Sequence, residues 1–426
     1  MARLLAPLLL LALGTSPLGA QVTAIRAGSL IDPAAGTAAR DRIILVEGTQ
    51  VKAVGEKVAI PRGATVIDLS GSAVLPGLFD SHTHLCMTVN MKRDAGSYYY
   101  TTLNDPDSYR AIQGVANARS MLEAGFTTVR DVGNEGEFAC SSLRLALRRG
   151  LVDGPTMLNA GRIIAPYGGQ FQLQPDKGEV LAVPEYYFAD TRDELLKAVR
   201  ENIHYGATVI KLVVDDQPYI YSPDDIRFVV DQAARAGLKV AAHVWTKEGA
   251  HNAAQAGVAS LEHLNGISDE DLAVAKRNGV VAVFTPFPEW VLKRFRGDEA
   301  GSREYRVEID RLRAGHRIGV TIAFGTDAIH DLPGYNRGSL AMTWIDSYLD
   351  AGLSPPALLQ AMTVNGARLL GVEKTRGTIA PGMAADIIAV TGDPLADPRV
   401  LKQVHFVMKD GKVVKTKPAT ARTAGR

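Results

Sequence analysis

From Ala73 to Asp327 the chain repeats one pattern. A short apolar run is followed by a stretch with helical spacing, often closed by glycine. The apolar runs are Ala73–His84, Thr127–Val132, Thr156–Arg162, Thr208–Val214, Lys239–Val244, Ser260–Leu264, Val280–Thr285 and Thr321–Asp327. Helical patterns lie between them, for example at Asp107–Ala124, Pro223–Ala236 and Lys247–Ala256, and Gly125, Gly206, Gly237, Gly257 and Gly279 stand where helices tend to end. Eight such strand–helix units predict a (β/α)8 TIM barrel in the α/β class. A doubly wound sheet is the alternative, but it seldom needs eight units this regular.

The two ends read differently. Val22–Ala27, Arg42–Val46, Val51–Val54 and Val66–Leu69 are short strand-like segments parted by turn residues. Ala385–Val390, Val404–Lys409 and Lys412–Lys415 repeat that texture, with Asp410-Gly411 as a hairpin turn. The expected organisation is therefore a small β-sandwich from residues 21–75 and 377–415, a barrel over 76–376 and a fraying tail over 416–426. Residues 1–20 read as a signal peptide, with Arg3 before an apolar stretch through Leu13, then Gly14, Pro17, Gly19 and Ala20. The expectation is an exported chain, periplasmic or secreted, with no membrane span after the leader is removed. Lys+Arg 47 against Asp+Glu 46 leaves a net charge of +1, which offers no field for a nucleic-acid partner. Two cysteines, Cys86 and Cys140, exclude a disulfide framework; they could pair in an oxidising compartment, though nothing in the sequence requires it.

In a barrel, the polar residues to suspect are those at the C-terminal ends of strands. His82 and His84 end the first run, two apart and so on one side of a strand. Lys211 lies in the fourth, His243 ends the fifth, His263 the sixth and Asp327 the eighth. Each alone reads as a satisfied strand-end residue, and Lys211 as a lysine reaching water. Together they are groups of metal-ligand type on one rim. A lysine in a strand buried on both faces is costly to keep charged. A sharper reading is that CO2 carboxylates Lys211, giving an anion with two oxygens that can bridge two cations. Four neutral imidazoles, one carbamate and one carboxylate carry two negative charges. Two divalent ions and a bridging hydroxide then leave one net positive charge. These ligands suit zinc, with manganese, cobalt and nickel left open.

The segments Gly77-Leu78-Phe79-Asp80-Ser81-His82-Thr83-His84, Val209-Ile210-Lys211, Ala241-Ala242-His243, Glu262-His263 and Gly325-Thr326-Asp327 resemble the amidohydrolase superfamily. The branch resembled is imidazolonepropionase-like and prolidase-like, and includes secreted carboxypeptidase-type and ochratoxin-hydrolysing enzymes. The likeness runs from about Val22 to Val414 and implies a binuclear centre: His82, His84 and Asp327 on one ion, His243 and His263 on the other, and carboxylated Lys211 bridging. It implies that Asp327 is the catalytic proton acceptor and donor, and that Tyr221 hydrogen-bonds the scissile carbonyl. It also implies a homo-oligomer. Deaminases and true imidazolonepropionases usually carry Glu three residues after the strand-five His and lack the bridging Lys. Thr246 and Lys211 here favour hydrolysis of an amide or peptide bond. The loop Pro166-Tyr167-Gly168-Gly169-Gln170 departs from relatives that have His in place of Gln170.

Aromatic residues follow the strands at Tyr98-Tyr99-Tyr100, Tyr167, Phe171, Tyr186-Tyr187-Phe188, Tyr219, Phe287 and Trp290, and no acidic cluster stands out among them. They are expected either to line a pocket or to pack loops together. The substrate class this favours is N-acyl amino acids or dipeptides with an apolar or aromatic C-terminal residue. The resemblance adds ochratoxin A, cleaved to ochratoxin alpha and phenylalanine, as a candidate. The alternatives are a prolidase, a lactonase or cyclic amide hydrolase on the same site, and an inactive ligand-binding relative.

Overall fold

The computed structural model describes residues 21–172 and 184–416. The expected leader at 1–20 and all but the first residue of the tail lie outside the described residues. Eight segments stand side by side as the wall of a barrel. In chain order they are Leu78–Thr83, Phe126–Asp131, Thr156–Asn159 continued by Ile163–Ala165, Ile210–Val213, Val240–Val244, Ser260–His263, Val281–Val283 and residues 321–327. Neighbours along the first seven pair in parallel. The third strand is interrupted at residues 160–162. Its first half bonds the second strand and its second half bonds the fourth.

The eighth segment closes the ring with few bonds. On one side Ala282 N–H donates to Thr321 O at 2.8 Å, and Ala323 N–H to Ala282 O at 3.0 Å. On the other, Ser81 N–H donates to Phe324 O at 2.8 Å and Asp327 N–H to His82 O at 2.9 Å. Where a strand is expected over Thr321–Asp327, only an isolated bridge between Ile322 and Ala282 is regular. The cause is local. Phe324 N–H bonds Ala361 O instead of a strand neighbour, and a Cβ on Gly325 would lie 2.4 Å from Val283. The backbone is thus squeezed against its neighbours there.

Strands buried on both faces carry continuous apolar sequence, because helices cover the outside of the barrel. The helices start and stop where local chemistry directs. Thr191 and Glu194 form a capping box before the helix Arg192–His204. Thr246 caps Lys247–Ala256 by accepting from Gly249 N–H, and Gly257, at φ +79°, ends it.

The small domain is one seven-stranded sheet drawn from both ends of the chain. Its order is Lys412–Thr416, Phe406–Lys409, Ile387–Val390, Thr65–Pro76, Val22–Asp32, Thr37–Glu47, Gln50–Gly55. The sheet doubles back on itself. Val51 N–H donates to Met383 O and Ala385 N–H to Thr49 O, so the edge strand returns to the segment that leads into the central one. Ile25, Ile44, Val74, Ile387 and Phe406 fill the sandwich so formed. The run Ala73–His84, expected as one strand, is two. Thr65–Pro76 belongs to the sandwich, Leu78–Thr83 to the barrel, and Gly77 is the crossing. A Cβ on Gly77 would meet the Thr127 side chain at 2.1 Å, so only glycine lets the chain pass.

Candidate metal centre

The barrel register places the strand-end residues around one spot. His82 and His84 point inward from the first strand, with ring centroids 5.3 Å apart; His263 lies 4.6 Å from His82, and His243 4.7 Å from His263. Asp327 Oδ1 is 3.3 Å from His84 Nε2 and 3.9 Å from His82 Nε2, while Oδ2 is 3.9 Å from His263 Nδ1. Lys211, 2 % exposed, reaches the same cavity from the fourth strand. Asp80 ties the first and eighth strands together. Its carboxylate accepts from Thr326 Oγ1 at 2.7 Å, Thr326 N–H at 3.2 Å and His82 N–H at 3.1 Å. His263 and Asp327 adopt φ of +69° and +53°, conformations that non-glycine residues keep where the surroundings impose them, often at functional sites.

These residues suit a divalent cation. Burial holds His82 and His263 well below the usual imidazole range, so both rings are neutral and keep a lone pair. His82 Nδ1 sits 2.7 Å from Glu262 Oε2 and His84 Nδ1 2.6 Å from Gly133 O, which places each ring proton on Nδ1 and leaves Nε2 as the donor atom. His82 Nε2 is buried with no hydrogen-bond partner, an orphan that a cation would satisfy. Burial works to raise the Asp327 pKa. The bond from His84 and the charge of neighbouring Lys211 outweigh it and hold it at about 2. Asp327 is therefore a carboxylate at any working pH. Burial lowers Lys211 to about 8, against the pull of Glu262 and Asp327.

The amidohydrolase family profile matches residues 73–414, most of the chain. The protein belongs to the amidohydrolase family. It is similar to ochratoxinase from Aspergillus niger, at 30% identity over 93% of this chain and 87% of that protein. It is also similar to imidazolonepropionase from Symbiobacterium thermophilum, at 26% identity over 84% of each. Among solved structures, a Xaa-Pro dipeptidase with methionine bound in its active site superposes with a TM-score of 0.83 at 27% identity, covering 93% of this chain and all of that one. Ochratoxinase of A. niger superposes at 0.79 with 25% identity, covering 93% of this chain and 96% of that one. The chain is thus a hydrolase of the amidohydrolase family, and its relatives act on small molecules.

All six expected metal ligands of this amidohydrolase, Lys211 among them, line one cavity of about 670 Å³. Tyr221 is not brought there. Its hydroxyl donates to Ala189 O at 2.6 Å, and the ring is 1 % exposed. The aromatic expectation divides similarly. Tyr98 and Phe287 line the cavity, but Phe171 and Tyr186 pack with Tyr98 and Tyr99, and Trp290 stacks on Tyr335 at 5.2 Å. The cavity wall contains residues that sequence patterns did not single out: Met87, Met91, Trp245, Phe295, Glu308 and His330. The absence of an acidic cluster also needs correcting, since Glu304 and Glu308 reach the wall from the helix Asp298–Ile318. Arg296 bonds Glu304 at 3.1 Å, and Glu308 accepts from Phe287 N–H at 2.8 Å, so both carboxylates are already engaged.

Two networks behind the ligands were not visible in sequence. Glu262, adjacent to His263, faces inward and joins His82 to Arg130: Arg130 Nη2 donates to Glu262 Oε1 at 2.7 Å, and its Nε to Ser81 O at 2.6 Å. Asp216 lies 2.9 Å from His243 Nε2 and accepts from Gln170 Nε2 at 2.7 Å, and Gln170 in turn accepts from the Tyr186 hydroxyl at 2.8 Å. Thr246 donates to Asp215 at 2.8 Å. Cys86 and Cys140 are joined as a disulfide, with Cα atoms 5.8 Å apart. It ties the loop beyond His84 to the helix Ala139–Arg148.

Proposed function

We propose that this amidohydrolase uses a binuclear centre, expected to be zinc, to cleave the amide bond to a C-terminal apolar or aromatic amino acid. The observation that carries the reading is the buried set of four imidazoles, Asp327 and Lys211 in a cavity whose wall includes Met91, Phe287 and Phe295. His82, His84 and Asp327 would hold one ion, His243 and His263 the other. A free amine at Lys211 is the form that adds CO2, losing a proton as the carbamate forms, and its lowered pKa of about 8 makes that form accessible near neutrality. Such ions supply a hydroxide at neutral pH and polarise a carbonyl. Asp327 accepts the proton of the attacking water and returns it to the leaving nitrogen. Glu262 and Gly133 fix the rings of His82 and His84 from behind. Met91, Phe287 and Phe295 form the apolar wall for the side chain of the released amino acid.

The full ligand set speaks against an inactive ligand-binding relative. N-acyl amino acids, dipeptides and the phenylalanine amide of ochratoxin A are the substrate candidates. Export is the companion proposal, supported by the Cys86–Cys140 pairing, which suits an oxidising compartment. Hydrolysis rates on one acyl group linked to Phe, Pro or Arg test the specificity, with chelator treatment testing the metal. Phe should lead and the chelator should abolish turnover. A strong preference for Arg would overturn the pocket reading, and chelator-resistant turnover would overturn the metal reading.

A further inference from the structure

We propose that Asp216 is a fourth protein ligand, beside His243, His263 and the bridging Lys211, to the ion those residues hold. The inference rests on the binuclear reading above and adds a carboxylate that the strand-end pattern does not contain. Asp215 and Asp216 follow the fourth strand side by side, but only one is free for the task. Asp215 is spent on the backbone of the next strand end. Its oxygens accept from Trp245 N–H at 2.9 Å, Thr246 N–H at 2.7 Å and Thr246 Oγ1 at 2.8 Å.

Asp216 turns the other way. Its Oδ2 lies 2.9 Å from His243 Nε2, and that nitrogen is buried without a hydrogen bond of good geometry. Two donors on one zinc, each ~2.0–2.1 Å from it, stand about 3.3 Å apart at the tetrahedral angle, and about 2.9 Å apart at the right angle that a five-coordinate site contains. The Asp216–His243 spacing falls at that lower bound, and the His84–Asp327 spacing of 3.3 Å on the opposite side matches the tetrahedral one.

The backbone shows how this position is maintained. Asp216 has φ +88°, a conformation that side chains other than glycine seldom adopt, and one that marks sites where the surroundings dictate geometry. Gln170 supplies the constraint, donating to Oδ2 at 2.7 Å while its own oxygen accepts from the Tyr186 hydroxyl at 2.8 Å. Charge is consistent as well. With Asp216 counted, the ligands carry three negative charges, and two divalent ions with a bridging hydroxide give a neutral buried centre rather than a cationic one.

Zinc titration of the metal-stripped full-length protein, followed by metal content after gel filtration, tests the assignment. It is run on the wild type, Asp216→Asn and Asp216→Gly. Glycine relieves the positive φ while deleting the carboxylate, so this variant has no backbone reason to misfold. Wild type should bind two equivalents. Both variants should keep one ion tightly and bind the second more than ~100-fold more weakly, beyond the 10–100-fold that an outer hydrogen-bond partner costs. A smaller loss in either folded variant would overturn the ligand assignment. Fewer than two equivalents in the wild type would instead overturn the binuclear reading on which it rests.

Discussion

Glu262→Gln tests whether the groups behind the metal ligands govern both stability and metal retention. Glu262 and Arg130 are 0 % and 2 % exposed and meet at 2.7 Å, so the substitution leaves a guanidinium buried without its counter-charge. Breaking a buried pair from one side costs about 3–5 kcal/mol. Glutamine's oxygen still accepts from Arg130, which offsets about 1 kcal/mol. The net loss is about 2–4 kcal/mol, or a drop in Tm of roughly 4–8 °C at about 2 °C per kcal/mol for a chain this long. A second effect acts on the metal. His82 Nδ1 now donates to Glu262, but a glutamine amide can donate to Nδ1 and push the ring proton to Nε2, the atom needed for coordination. Zinc affinity should fall about 10–100-fold. Calorimetry of metal-free and zinc-loaded protein, with zinc release to a chelator, reads both effects. An unchanged Tm together with unchanged zinc release would refute the account. An unchanged Tm alone would mean that Arg130 finds another partner.

Other substitutions probe the ligands and the cavity wall. Lys211→Ala should lose bound metal, and small added carboxylic acids should partly restore activity; full occupancy without Lys211 would exclude the carbamate. Asp327→Asn should keep most of the metal while turnover falls about 10²–10⁴-fold, the range for general acid–base groups; near-normal turnover would remove Asp327 from that role. Glu308→Gln addresses pH. Burial above all pushes the Glu308 carboxyl from its ordinary 4.5 to about 8, so the native state holds this proton more tightly than the unfolded chain does. That contribution is complete below about pH 4.5 and disappears as pH rises through 8. The variant should therefore lose less stability than wild type between pH 5 and 8, and parallel stability curves would disprove the assignment.

The cluster of candidate ligands was legible because its members stand in or at the ends of locally recognisable strands, and the barrel topology brings those ends together. The apolar runs at Lys239–Val244 and Ser260–Leu264 reach the structure nearly unchanged, as Val240–Val244 and Ser260–His263. What escaped depends on which residues meet across the barrel. Glu262 and Arg130 lie on strands far apart in sequence, and nothing near either one marks the other. Asp216 was hidden beside an identical residue with a different job. Tyr221 was placed by resemblance, but its direction follows from the turn after the fourth strand, which sends the hydroxyl to Ala189. The aromatic loops left two readings open for a general reason: composition records how many rings surround a cavity, while packing decides which of them face it.

The crossing at Gly77 carries a consequence for how the chain is made. The sandwich strand Thr65–Pro76 leads straight into the barrel, yet its partner Ile387–Val390 comes from near the other end of the chain. At 5–20 residues per second, that partner leaves the ribosome roughly 15–60 s later. Until then the strand offers an unpaired edge of the kind that templates aggregation. The barrel's first strand is thus available early, while the sheet flanking it waits for the last strands of the chain. A chain shortened before Ile387 would keep every candidate metal ligand and still present that open edge.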